Sequence, residues 1–167
     1  MGLMDKLMGS KSAQPGVAPV SVADLRSALL GLSRDTAPWH VRDGAPDRCE
    51  LVAEWRIVDA QWYGIFSAYG LSDTFRVKLK FDEGAHQVRN VDEQASVTWR
   101  NGIPFVGKSW SRGQINEVEY GRGYGFTEQG DFGQVYNYKF RSSEIKDPLR
   151  DVVTEHGWGW KAVSFRL

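Results

Sequence analysis

The chain has 167 residues, and its 21 Lys and Arg residues balance 21 Asp and Glu residues, so the formal net charge is zero. Hydrophobic residues make up 41% of the sequence and aromatic residues 13%, which excludes disorder for most of the chain and suits one domain with a sizeable core. The balanced charge disfavours an extended nucleic-acid surface, and the single cysteine, Cys49, excludes an internal disulfide and a multi-cysteine zinc site.

The first nine residues carry an apolar stripe at helical spacing, formed by Leu3, Met4, Leu7 and Met8. They lack the charged start, the long apolar block and the cleavage site of a secretory signal. We expect a short amphipathic helix that either packs loosely on the domain or makes weak contact with a membrane surface. Residues 10–20 are interpreted as a flexible linker, which gives a leading segment at 1–20 and one globular β-rich domain at 21–167.

Two further helices are predicted. Ser21 can cap a helix over residues 22–32, in which Leu25 and Leu29 face the core. Asp147 and Pro148 suit the first positions of a second helix near residues 148–156. Gly157 can end that helix in the left-handed backbone region.

Strand patterns begin at Glu50, where the apolar period changes from 3.6 to 2. The clearest pattern is 75–82, where apolar residues alternate with Arg76, Lys78 and Lys80 and so predict one buried and one wet face. Asn101-Gly102 predicts a tight two-residue hairpin. Residues 38–47 are expected to be irregular, and further strands are expected near 51–58, 86–91, 96–100, 103–106, 115–120, 133–140 and 158–167. The predicted fold is mainly β with two helices, an α+β arrangement built on a curved antiparallel sheet or barrel of about eight strands.

The sequence contains no strong catalytic or metal-binding pattern. His40, His86 and His156 are not spaced as metal ligands on one helix, so no metal and no cofactor is expected. No Gly-x-Ser-x-Gly elbow is present, and Cys49 is interpreted as a buried small side chain. The glycine-rich stretch 121–126 lacks the spacing of a nucleotide-binding loop and is interpreted as a strand or a ligand-lining loop.

Carboxylates nevertheless leave an acid–base site open as an alternative. The candidate acids are Glu54, Asp59, Glu117 and Glu119, to be combined with His40 or His86. The condition is that two of these groups converge in a cleft on one substrate position. The competing interpretation is a solvated or ion-paired sheet face.

Aromatic and basic residues alternate over 99–112, which indicates either core packing with an exposed rim or a binding surface for a protein, a small ligand or single-stranded nucleic acid. The neutral overall charge disfavours nucleic acid among these partners. Arg100, Lys108 and Arg112 could meet an anionic headgroup or a phosphate. The residues predicted to line a binding site are Trp99, Trp110, Arg112, Tyr120, Arg122 and Tyr124.

Several short strings resemble an uncharacterised bacterial family over residues 21–167: 51–60 (LVAEWRIVDA), 111–114 (SRGQ), 125–128 (GFTE) and 145–149 (IKDPL). The resemblance implies no activity and no catalytic residues. A looser architectural likeness is to the Tubby C-terminal and LURP-one-type barrels, in which a late apolar helix threads the barrel. That likeness implies lipid-headgroup binding or a scaffold role by analogy only.

These observations favour a non-catalytic cytoplasmic domain that binds a ligand or partner, or acts as a scaffold, through an aromatic-lined groove or sheet face. One alternative is a small β-barrel enzyme with carboxylate and histidine acid–base chemistry. Another is a domain held at the inner face of a membrane by residues 1–8.

Overall fold

The computed structural model of the protein describes residues 2–115, 126–129, 135–138 and 140–167. Within these ranges the helices are α1 (Leu3–Leu7), α2 (Val22–Leu30), α3 (Tyr63–Ala68) and α4 (Ser142–Glu155). The strands are β1 (Trp39–Asp43), β2 (Leu51–Trp55), β3 (Asp73–Asp82), β4 (Gln87–Arg100), β5 (Ile103–Val106), β6 (Ser111–Gly113), β7 (Phe126–Gln129), β8 (Val135–Tyr138) and β9 (Gly159–Ala162).

The main sheet is curled, forms half of a barrel and is mostly antiparallel, as the sequence predicts. Strands β1, β2, β3 and β4 follow one another in sequence order. The other edge of β4 pairs with β9, β6 and β5 in turn, and β9 is parallel to β4. Strands β7 and β8 form a separate antiparallel pair.

The core lies on the face of the sheet that carries the apolar side chains of β3. Phe75, Val77 and Leu79 are fully buried there, while Arg76 and Lys78 lie on the opposite face. Because side chains alternate along a strand, this face of β3 carries a row of cations. It is less exposed than the sequence predicts, since Lys78 is buried and Arg76 is only 12% exposed. Helices α2 and α4 cover the core face, and the predicted core residues of α2, Leu25 and Leu29, are fully buried.

Helix α4 begins at Ser142 and not at the predicted boundary near residue 148. Pro148 lies inside the helix, where it cannot donate a hydrogen bond to the carbonyl four residues earlier. Burial of Ile145 and Leu149 on one stripe outweighs this loss. The sequence favours a helix start at Pro148 because only a short apolar stripe precedes this residue.

Two other elements are not predicted from the sequence. The short helix α3 covers most of the apolar stretch 62–66, and its Phe66 is buried. Residues 39–43, expected to be irregular after Pro38, form β1 and pair with β2 in the register Trp39 with Trp55. Cross-strand pairing with β2 compensates for the weak alternation of this segment.

The long strand β4 merges two predicted strands into one of 14 residues. The predicted hairpin at Asn101-Gly102 is confirmed, since the φ angles of these residues are 53° and 76°. Trp160 on strand β9 and Trp158 just before the strand are both buried, and β9 lies between β4 and the backbone of Lys11.

An ion pair is buried between the sheet and α4. Lys146 Nζ lies 2.7 Å from Asp92 Oδ2, and the side chain of Asp92 is inaccessible to solvent. The same carboxylate oxygen accepts a hydrogen bond from the Ile115 amide at 2.7 Å. Burial raises the pKa of Asp92, although the charge and hydrogen bond of Lys146 and the amide of Ile115 act against this rise.

Residues 10–20 run along α4 and β9. Backbone hydrogen bonds join Lys11 to Trp160, Gln14 to Thr154 and Val20 to His156. The division of the chain at residue 20 stays a prediction, and these contacts show where the segment lies. Among the described residues, no helix combines the length and the apolar character that crossing a bilayer requires.

Candidate functional site

A row of alternating charge crosses five strands on the face opposite the core. In register, His40 of β1 lies beside Glu54 of β2, then come Arg76 of β3, Glu93 of β4 and Arg112 of β6. Directly opposed residues in a sheet have side chains on the same face and close enough to interact. We call these five residues the charged row.

Glu93 is the centre of this row. Its Oε1 lies 2.8 Å from Arg76 Nη2 and 3.4 Å from Lys78 Nζ, and its Oε2 lies 2.6 Å from Arg112 Nε. Burial by itself raises the pKa of Glu93, but the hydrogen bonds from Arg112 and Arg76 and the neighbouring positive charges outweigh it, so the pKa lies below its usual value. Glu93 is therefore an ionised anchor that fixes three cations.

Glu54 holds the other end of the row. Its carboxylate accepts hydrogen bonds from Arg42 Nε at 2.7 Å and Nη2 at 3.2 Å, and its Oε1 lies 3.2 Å from His40 Nε2. Burial opposes ionisation, yet the hydrogen bonds from His40 and Arg42 lower the pKa of Glu54 below its usual value. Because an ionised carboxylate only accepts, Nε2 of His40 must carry a proton to make this bond, which leaves Nδ1 as an acceptor in the neutral ring.

A cleft of about 410 Å³ lies beside His40 and Glu54, within the size range of small-molecule sites. We call it the aromatic cleft. Trp110 forms one wall, and its ring is held in place by the Arg76 guanidinium, which lies 3.8 Å from the ring centroid. Its lining residues are His40, Glu54, Trp55, Arg56, Ile57, Val58, Asp59, Thr74, Val106 and Trp110.

Two donors among the lining residues have no hydrogen-bond acceptor within the described part of the chain. They are Nε1 of Trp55 and Nε of Arg56, and both atoms are buried. The other nitrogens of Arg56 are engaged, with Nη2 donating to the carbonyl of Arg34 at 2.9 Å. Val58, by contrast, is 70% exposed and presents an apolar side chain at the cleft.

The six predicted site residues do not fall into one place. Trp110 lines the aromatic cleft, and Arg112 lies beyond it at the end of the charged row. Trp99 packs against the core, and its Nε1 donates to the carbonyl of Leu71 at 2.7 Å. The other three, Tyr120, Arg122 and Tyr124, lie outside the described residues.

The acid–base alternative requires two of its candidate groups to converge in a cleft, and His40 and Glu54 do so. His86 is exposed and packs on Trp158, while His156 Nδ1 lies 2.6 Å from the Val152 carbonyl at the end of α4. Glu117 and Glu119 lie outside the described residues.

Cys49 is half-buried, and burial raises the pKa of its thiol, which disfavours the reactive thiolate. In the ranges that the structure covers, no group of three His, Cys, Asp or Glu side chains could hold a metal ion.

The sequence predicts Trp110 and Arg112 as site residues but does not predict the charged row. That row contains Arg112, and its Arg76 stacks on Trp110. The sequence predicts irregular chain at His40, and without β1 nothing in the sequence sets this residue beside Glu54. The signal that could have found the row is the alternation at Arg42 and His40 combined with that at Glu54 and Arg76.

Comparisons with known proteins find no match: no protein-family profile fits the chain, and neither the curated proteins nor the solved structures show a similar one. The resemblance to a bacterial family and to Tubby-type barrels therefore stays a prediction.

Proposed function

We propose that the protein is a non-catalytic binding module of the cytoplasm whose aromatic cleft holds a small, mostly apolar molecule with one hydrogen-bonding group. The observation that carries this proposal is the meeting of Trp110 and His40 in one concave site. Sites of this kind bind through apolar walls and orient the ligand with a few fixed polar groups.

The apolar body of the ligand would lie against Trp110, Ile57 and Val106. Trp110 is rigid for a surface tryptophan because Arg76 stacks on it and is itself tied to Glu93. A rigid aromatic wall loses little conformational entropy on binding. The polar group of the ligand would donate to Nδ1 of His40, whose ring is oriented by Glu54.

Binding can be tested by saturation-transfer NMR with phenol, indole and 2-naphthol as probes. We expect Val58→Asp to weaken the binding of 2-naphthol by about tenfold, because it puts a charge where an apolar side chain faces the ligand. Val58 is 70% exposed, so the fold should tolerate the change.

Ile103→Asp is the matched control. Ile103 is 50% exposed and lies on β5, outside the lining of the aromatic cleft. Equal affinities of the two variants, or no binding of any probe by the unmodified protein, would reject the proposal.

A second candidate function is favoured by the contact between His40 and Glu54. A histidine with Nε2–H held by an ionised carboxylate presents Nδ1 as a general base, which is the arrangement that acid–base catalysis requires. The cleft would then be an active site that takes the same kind of ligand.

Hydrolysis of 4-nitrophenyl acetate separates these two functions. Catalysis predicts a rate above background that His40→Gln abolishes while the variant stays folded by circular dichroism. Equal rates for the unmodified protein and the variant would leave binding as the function of the cleft.

Peripheral attachment to a membrane stays a prediction for α1. Leu3, Met4 and Leu7 are 76%, 69% and 69% exposed, respectively, and Met8 follows directly after the helix. Asp5 on the same helix pairs with Lys161 of β9, which ties α1 to the domain.

A further inference from the structure

A second concavity, of about 500 Å³, lies on the same sheet face as the charged row. The charged row separates it from the aromatic cleft. We call it the basic cleft. Five of its lining residues are cationic, and one side chain among them is a carboxylate. The charged lining residues are Asp47, Arg48, Lys78, Lys80, Arg112 and Arg166. It shares no lining residue with the aromatic cleft.

The cations come together for reasons set by the fold. Lys78 and Lys80 are two residues apart on β3 and therefore point to the same face. Arg112 is brought alongside by the pairing of β6 with β4, and it donates to the carbonyl of Phe165 at 3.1 Å, which holds the segment containing Arg166.

Only part of this positive charge is neutralised. The single carboxylate of Glu93 forms ion pairs with both Lys78 and Arg112. Asp47, the one carboxylate side chain in the lining, pairs with Arg42 at 2.9 Å and Arg76 at 3.4 Å, which lie outside the lining. No carboxylate of the described residues lies within ion-pair distance of Arg48, Lys80 or Arg166. In a chain whose formal net charge is zero, such a local excess marks a place where an anion would be stabilised.

The cleft is also partly preorganised. Lys78 is held in place because its Nζ lies 3.4 Å from Glu93 Oε1, and only 8% of its side chain is exposed. The Arg112 guanidinium is held at Nε by Glu93 and at Nη1 by the Phe165 carbonyl, and 46% of its side chain remains exposed. An incoming oxyanion would meet cations that are already oriented, which lowers the entropic cost of binding.

We infer that the basic cleft binds the phosphate group of a small ligand, one that carries at least two negative charges. A single carboxylate would leave most of the excess charge uncompensated, whereas a phosphate monoester or a diphosphate offers several oxygens to the arginine forks and lysines. Such a phosphate can belong to a soluble metabolite or to a lipid headgroup.

Two assays distinguish these sources. Calorimetric titration with pyrophosphate tests a free phosphate, and co-sedimentation with vesicles of phosphatidylcholine containing phosphatidic acid, against phosphatidylcholine alone, tests the headgroup. We expect at least one assay to show binding that weakens as salt is added.

The diagnostic variant is Arg48→Glu/Lys80→Glu, since both side chains are exposed and neither is ion-paired in the described part of the protein. Its affinity should fall at least about tenfold. The matched control is Arg100→Glu/Lys108→Glu, which makes the same change of net charge at two exposed cations outside the cleft. The sequence predicts that these two could also meet a phosphate, so this control separates the basic cleft from that earlier candidate.

Thermal unfolding monitored by circular dichroism checks that both variants are folded. If both variants lose binding equally, the attraction depends on overall charge and the basic cleft is not a site. Absence of binding in both assays overturns the inference as well. Binding of 2-naphthol by the Arg48→Glu/Lys80→Glu variant is expected to persist, so the inference and the function proposed for the aromatic cleft can fail separately.

Discussion

The carboxylate of Asp92 illustrates how one buried charge depends on a single partner. It lies within the sheet, inaccessible to solvent, and Lys146 from α4 is its only cationic neighbour among the described residues. An ion pair of this kind adds little net stability, because removing both charges from water is costly, but losing one member leaves the other uncompensated.

We therefore expect Lys146→Met to destabilise the protein by about 3–5 kcal/mol. Urea denaturation followed by tryptophan fluorescence measures this. Lys146→Met/Asp92→Asn also removes the unpaired carboxylate charge and should recover most of the lost stability, since the Asn oxygen can still accept a hydrogen bond from the Ile115 amide. If the double variant is no more stable than the single one, the cost does not come from the buried charge.

Acid sensitivity is expected from Glu54 and Glu93. The pKa of each is lowered in the folded state, so the unfolded chain takes up protons at higher pH than the folded one. Their contribution to stability is present above the ordinary glutamate pKa of about 4.3 and is lost as the pH falls through their folded values. The raised pKa of Asp92 acts in the opposite direction and offsets part of this loss.

Urea midpoints measured from neutral pH downwards test this expectation. Glu93→Gln should be less stable than the unmodified protein at neutral pH, and its stability should depend less steeply on pH in the acid range. Parallel curves for the two proteins would mean that Glu93 does not contribute to the acid sensitivity.

At the scale of elements, α4 depends on the turn that follows it. Gly157 has a φ of 80°, and a Cβ at this position would lie 2.5 Å from the carbonyl oxygen of Ala18. The turn therefore needs glycine both for its backbone conformation and for its close contact with residues 18–19. Trp158, the next residue, donates from Nε1 to the carbonyl of Val20 at 2.9 Å.

Gly157→Ala should lower the free energy of unfolding by more than about 1 kcal/mol, since both the strain and the clash oppose it. Gly64→Ala is the control, because this glycine lies in α3 with open space around its Cβ position and without a positive φ. Alanine there should leave the melting temperature unchanged or raise it. Equal losses in the two variants would contradict the role given to the turn.

The elements also show what the sequence could and could not predict. The strand over 75–82 and the Asn101-Gly102 hairpin were predictable because a period of two and a left-handed dipeptide are local signals. Strand β1 was not, since it depends on pairing with β2. For the same reason Trp110 could be predicted as a site residue but the position of His40 beside Glu54 could not, because a register is a relation between distant residues.

At the scale of the whole molecule, β4 is the strand on which the sheet depends. It pairs with β3 along one edge and with β9, β6 and β5 along the other, whereas β1 is the terminal strand of the main path. Amides that are bonded inside a sheet with partners on both sides open only when large parts of the molecule unfold.

Native-state hydrogen exchange should therefore find the slowest amides in β4, near Val88 and Val91, which are fully buried. Amides of β1 should exchange faster, by opening at the sheet edge. Exchange in β1 as slow as in β4 would show that the sheet opens as a single unit.

The parallel pairing of β9 with β4 has a consequence for biosynthesis. Residues 87–90 of β4 pair with β3 along one edge, but their other edge finds its partner only at residues 159–162, and Lys11 bonds to Trp160 of the same strand. While the ribosome is still making the intervening chain, the leading segment and the open edge of β4 have no native partner, and such exposed edges are prone to aggregation. Nascent chains that stop before residue 159 should thus be clients of chaperones, and maturation should follow only once this strand leaves the exit tunnel.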